Sequence, residues 1–212
     1  MRKIICFIIP LLLIGCKTDR ENKLEDCQLI TDIFDKSEIK DLTKIFDFFN
    51  EQINVQHKVN RTESYKMFCE RMKESEIKGF FDINIPFQKQ MDLYSQISEN
   101  TFQQIWIFTE GKIRRQGSFH PSKSISLNFN GKYSAFLKEL GKENSAIYQY
   151  YENFEVLKDI SPNMAAFMMN YDIFDINDIR VHLVFAIHYL TLNDVEKRDK
   201  IVTVSNSPDG VQ

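Results

Sequence analysis

The sequence predicts an all-α fold: a single multi-helix domain carrying a small β-hairpin or irregular insertion around residues 104–129. Three observations carry that expectation. Apolar residues recur at spacings of three and four along most of the chain, the period of one helix face. Helix punctuation recurs with them, as hydroxyl or amide caps before such runs and glycine after. Only Thr109–Asn130 breaks the pattern. It holds Gly111, Gly117 and Pro121 and then alternates as Ser124-Ile125-Ser126-Leu127-Asn128-Phe129, the two-residue period of a strand.

Each element has its own local reason. Ser37 is a hydroxyl N-cap with Glu38 in the first turn. The helix it opens runs through Glu51 and continues a stripe of Ile39, Leu42, Ile45, Phe46, Phe49 and Ile53. A shorter helix covers Tyr65–Met72, Gly79 breaks the chain, and Pro86 opens a helix toward Ile97. Ser98 caps the next, with Phe102, Ile105 and Trp106 on one face. The alternating segment then pairs back on Ile105–Ile113 as the hairpin, an insertion of a kind that is uncommon in helical domains and often functional. Asn130 caps a helix over Gly131–Leu140, which Gly141 stops. Ile147–Phe154 forms an aromatic helix. Ser161-Pro162 is a cap followed by proline at the first helical position, opening a helix that ends near Tyr171. Asp175 starts the last helix, from Ile176 to about Leu192. Its run Val181–Leu190 is apolar almost all round and so reads as the central buried helix.

The first sixteen residues carry a different signal. Met1-Arg2-Lys3 precedes an apolar run, Ile4–Ile14, too short to span a hydrocarbon core of about 30 Å as a helix. The basic residues hold the amino end on the cytoplasmic side. Leu13-Ile14-Gly15-Cys16 resembles the lipobox of bacterial lipoproteins. The resemblance implies cleavage before Cys16, a thioether-linked diacylglycerol and further acylation there, and residence in the cell envelope, lipid-anchored to the outer membrane. Several acyl chains at about 0.8 kcal/mol per buried methylene make such an anchor lasting. The domain reading is then a signal peptide over 1–15, the lipidated cysteine and a charged tether over 16–28, the helical domain over 29–198 and a flexible tail over 199–212. Loss of Arg2 and Lys3 with the signal moves the net charge from −3 to −5, which argues against general nucleic-acid binding.

Candidate chemistry is sparse. His182 and His188 lie six residues apart, roughly 240° around a helix, so the two cannot share one metal from that helix. His57 and His120 fall in predicted loops, His120 near Arg114 and Arg115. No zinc-ligand spacing, GxSxG elbow or phosphate loop occurs, and no cofactor is expected. Cys27 and Cys69 are a candidate disulfide pair outside the cytoplasm, closing a loop worth up to roughly 4 kcal/mol; the alternative is two separate thiols on apolar helix faces. Asp175 and Asp178 suit a helix N-terminus. Met164, Met168 and Met169 suit either a core or an adaptable surface. Tyr148, Tyr150 and Tyr151 cover more than one helix face, which makes them candidate partner-binding residues.

Asn130-Gly131-Lys132-Tyr133, Ile160-Ser161-Pro162 and Ile187-His188-Tyr189-Leu190 are similar to segments of small Bacteroidetes lipoproteins. That likeness implies no activity, although some such lipoproteins act as immunity proteins against toxins. The functional expectation is a lipid-anchored envelope protein that binds a protein partner, in its concrete form an immunity-type protein that occludes a toxin. The competing expectation is an envelope hydrolase built around His182 or His188.

Overall fold

The computed structural model describes residues 23–54, 59–77, 83–115 and 118–205 and, within these, the side chains of all but 113–115, 120–122 and 199–205. The elements in order are α1 (Gln28–Ile33), α2 (Lys36–Asn54), α3 (Arg61–Ile77), α4 (Phe87–Gln96), α5 (Glu99–Ile105), β1 (Trp106–Arg115), β2 (Ser118–Leu127), α6 (Lys132–Gly141), α7 (Ser145–Leu157), α8 (Pro162–Met168) and α9 (Ile179–Ser205). The fold is mainly helical, and the two-stranded antiparallel sheet among the described residues is the hairpin expected around residues 104–129. The signal segment, Cys16 and His57 lie outside the described residues.

Helix α9 is the axis of the molecule. Every side chain from Val181 to Leu190 is buried, as the unbroken apolar run requires. Aromatic rings of the other elements close around it. Phe49 of α2 stacks parallel to Tyr189 at 6.3 Å and Phe68 of α3 meets it edge-on at 4.6 Å. Phe174 packs edge-on against Phe185 at 5.2 Å. Polar groups inside are partnered across elements: Trp106 Nε1 donates to Thr191 Oγ1 at 2.8 Å, and Gln90 links α4 to the Leu190 carbonyl at 2.8 Å while accepting from Asn193 at 2.6 Å. Such bonds offset the desolvation that an unpaired buried amide would suffer.

Several local expectations shift. The cap of α2 is Asp35, not Ser37: its carboxylate accepts the Ser37 and Glu38 amides while Glu38 Oε2 accepts the Asp35 amide at 2.8 Å. This is a reciprocal capping box, which satisfies more orphan donors than a lone hydroxyl. Asn60 caps α3 four residues upstream of Ser64, its side chain accepting the Glu63 amide, so α3 is longer than Tyr65–Met72. Gly131, not Asn130, stands before α6. A Cβ there would collide with the Gln104 backbone carbonyl, so the glycine is needed for close approach rather than conformation. Asp175 makes a turn, accepting the Asn177 amide, and Asp178 is the residue that caps α9. Met164, Met168 and Met169 are core residues.

Both ends of the domain also move. Leu24, within the stretch read as a tether, 16–28, is buried in the core in a short 3-10 turn. At the other end α9 continues to Ser205, well into the stretch read as a tail, 199–212.

Candidate interaction surface

The register of the hairpin runs from Trp106↔Leu127 through Phe108↔Ile125 and Glu110↔Lys123 to Arg115↔Ser118. At ten residues per strand and about 3.3 Å per residue, the ribbon is roughly 33 Å long. Its base is in the core: Trp106, Ile125 and Leu127 are buried, and Ser126 sits beside them. Beyond the base β2 stays beside α9, and the described side chains turn outward. Ile107 to Lys112 are exposed without a break, as are Ser118, Phe119 and Lys123. Successive strand residues point to opposite faces, so both faces of this part of the ribbon meet solvent. Exposed apolar side chains line it: Ile107 (39%), Phe108 (41%) and Phe119 (69%).

The ribbon is held at its root by an aromatic and ionic clamp. Phe102 stacks on Phe108 at 5.4 Å, and the Lys123 ammonium lies 4.4 Å from the Phe108 ring centre. The Arg198 guanidinium sits 5.0 Å from the same ring and 5.5 Å from Phe87. It also forks onto the fully buried Asp194, at 2.6 and 2.7 Å. This is the planar bidentate geometry that favours arginine over lysine. The clamp fixes the direction of the ribbon, because Trp106 bonds Thr191 whereas Phe108 meets Arg198. The strands therefore run along α9 toward its carboxyl end.

The three candidate tyrosines separate. Tyr150 is fully buried and its hydroxyl lies 3.0 Å from His188 Nδ1; Tyr151 is 8% exposed. Both rings are packed into the core rather than presented at the surface. Tyr148 alone is on the surface, at 48% exposure, and bonds Glu152 one turn on.

His182 and His188 are both in the core, facing different neighbours. His182 stacks on Tyr65 at 3.9 Å and its Nε2 lies 2.7 Å from the Ile176 carbonyl. Burial lowers its pKa to about 4, although the Ile176 bond opposes the shift. His188 meets Tyr150, and burial alone lowers it to about 3. Among the described residues neither ring is bonded to a carboxylate, and neither lines the three clefts described below. The clefts adjoin one another around Asp47 on α2 and hold about 310 to 500 Å³ each. In one of them Ser64 is spent on the Asn60 carbonyl.

The two described cysteines are free thiols with separate surroundings, so the disulfide left open by the sequence is not formed. Cys27 Sγ points to the Lys23 carbonyl; Cys69 Sγ is buried against the Met168 carbonyl, and burial pushes it up to about 12. Among the described residues no group of three or more His, Cys, Asp or Glu could hold a metal ion, and no helix is long and apolar enough to cross a membrane. The side chains of Arg114, Arg115 and His120 lie outside the described set. The ribbon's reach was not legible in its sequence: Thr109–Lys123 has no regular apolar alternation to detect. Compared with known proteins, the chain matches no family model, no curated protein and no solved structure.

Proposed function

We propose that this chain is a lipid-anchored protein of the cell envelope, tethered through Cys16, that works by binding a protein partner and blocking it, as an immunity-type protein does. The observation that carries the reading is the protruding ribbon. A two-stranded hairpin is marginal on its own in water, and exposed strand edges with apolar side chains invite pairing. Here the root is stabilised by Phe102, Arg198 and Asp194 while Phe119 stands exposed beyond it. A binding element held rigidly at its base loses less freedom on association.

The reading is tested in a strain lacking the gene, complemented with variants and scored for survival in competition with its neighbours. Shortening the ribbon to a turn joining Thr109 to Ser124 should abolish complementation, whereas His182→Gln and His188→Gln should retain it. A histidine variant that melts like the wild type yet fails to complement would favour the hydrolase instead. For the anchor, Cys16→Ser should lose acyl-probe labelling and accumulate as precursor; equal labelling of both proteins would overturn it.

A further inference from the structure

We infer that this chain pairs with a second copy of itself along the free edge of β1, so that two hairpins form one four-stranded antiparallel sheet about a two-fold axis at Gly111. Pairing is measured on purified protein and partner blocking in cells, so this reading and the binding reading can fail separately. The open edge is the first ground. β2 is the strand that lies beside α9, and β1 is the outer one. Every second residue of an antiparallel strand turns its amide and carbonyl away from the strand it is bonded to. From Ile107 to Lys112 the residues of β1 are exposed, and among the described residues no backbone bond joins them to anything but β2. The register has no bulge and β1 has no proline, two of the devices that blunt such an edge. What fits a row of alternating donors and acceptors is another strand. A sheet of three or more strands also has the stability that a lone hairpin lacks.

Charge selects a second copy as the occupant. Along the edge run Glu110, Gly111 and Lys112, opposite signs on either side of a glycine. When two copies meet antiparallel with Gly111 facing Gly111, Glu110 of each stands directly opposite Lys112 of the other. Directly opposed residues share a face; opposite charges there are favourable and like charges are not. A closed two-fold contact uses the same patch twice, and these three residues are their own complement. Within its own chain Glu110 stands opposite Lys123, so across the joined sheet each acid is flanked by two cations. Gly111 is the second ground. Its φ is outside the left-handed region, and a Cβ built on it would meet no atom within 4 Å. Neither the backbone nor packing within one chain therefore calls for glycine, which weakens a strand interior; at the axis it admits the close approach of a second backbone. Beyond these three positions the pairing is one of backbone alone, along the strand from Trp106 to Arg115.

The experiment uses full-length protein purified in detergent, with sedimentation equilibrium reading its self-association. The wild type should be dimeric. Glu110→Lys and Lys112→Glu should each weaken the dimer by roughly tenfold, because each turns both opposed pairs into like-charge pairs. Combining the two substitutions in one chain puts opposite signs back in register and should restore the dimer. Mixing the two single variants should do likewise, as a heterodimer in which each acid again faces a cation. Both side chains are exposed, so the circular dichroism spectrum should be the same throughout. A wild type that stays monomeric up to its solubility limit would overturn the inference and leave the edge to a strand of another protein. A dimer indifferent to the single reversals would overturn it too, as would one that neither the combined variant nor the mixture restores.

Discussion

His188 is a base that the fold keeps uncharged. In the unfolded chain an imidazole takes up its proton near pH 6.5; in the folded chain His182 and His188 stay neutral down to about 4 and about 3. The unfolded state therefore binds more protons throughout that interval, and stability falls as the pH drops from about 6.5 toward 3–4. Asp41 adds to the loss at lower pH. Its burial raises the pKa, but bonds from Lys44, Ser98 and Thr101 outweigh that and bring it to about 2, so its contribution disappears as pH falls below the ordinary carboxylate value. Thermal melts followed by circular dichroism should show a steady decline from pH 7 to pH 4, with a shallower slope for His188→Gln; a flat profile in the wild type would contradict this account. Glu38 is a second residue whose neighbours matter more than its type. It is 1% exposed and accepts from Lys132 Nζ at 2.6 Å, from Asn100 and from the Asp35 amide. Lys132→Met should destabilise by on the order of 2–3 kcal/mol, less than for a fully buried pair because the ammonium is 37% exposed. Denaturant titration reads the difference as a lower midpoint at unchanged slope.

At the scale of elements, α7 shows why aromatic content alone misleads. Its tyrosines look like a surplus because they fall on more than one face. Once α6 and α9 pack on different sides, Tyr150 and Tyr151 are core residues and Tyr148 is left outside. Tyr150→Ala should cost about 3–5 kcal/mol through the cavity it opens, whereas Tyr148→Ala should leave the melting temperature within a degree or two; equal losses would mean that the α7 packing is misassigned. Other elements were more legible. The Val181–Leu190 run admits a single reading, since no polar face is left to turn outward. The choice of Asp35 over Ser37 was also encoded, in the three-residue spacing from Asp35 to Glu38 that a capping box needs, but both residue types cap and the hydroxyl stood closer to the stripe. Leu24 was hidden for the opposite reason. One apolar residue among Lys23, Glu25 and Asp26 has no periodicity, and only the tertiary pocket against α2 gives it a place. The ribbon root, Phe108 on Arg198 on Asp194, joins residues ninety positions apart and leaves no trace in local pattern.

Across the whole molecule, the buried helix α9 follows in sequence every element that it packs against. Synthesis runs from the amino end, so α1 to α8 are made before Ile179 is added. Phe49, Tyr65, Phe68, Trp106 and Tyr150 then have no α9 to meet. The core around α9 closes only once that helix is present, and its closure is a contact between distant parts of the sequence, a slow event in topological terms. The same layout makes a truncation ahead of Ile179 far more damaging than deletion of the ribbon, because a nonsense codon there would release a chain with its apolar faces bare to proteases.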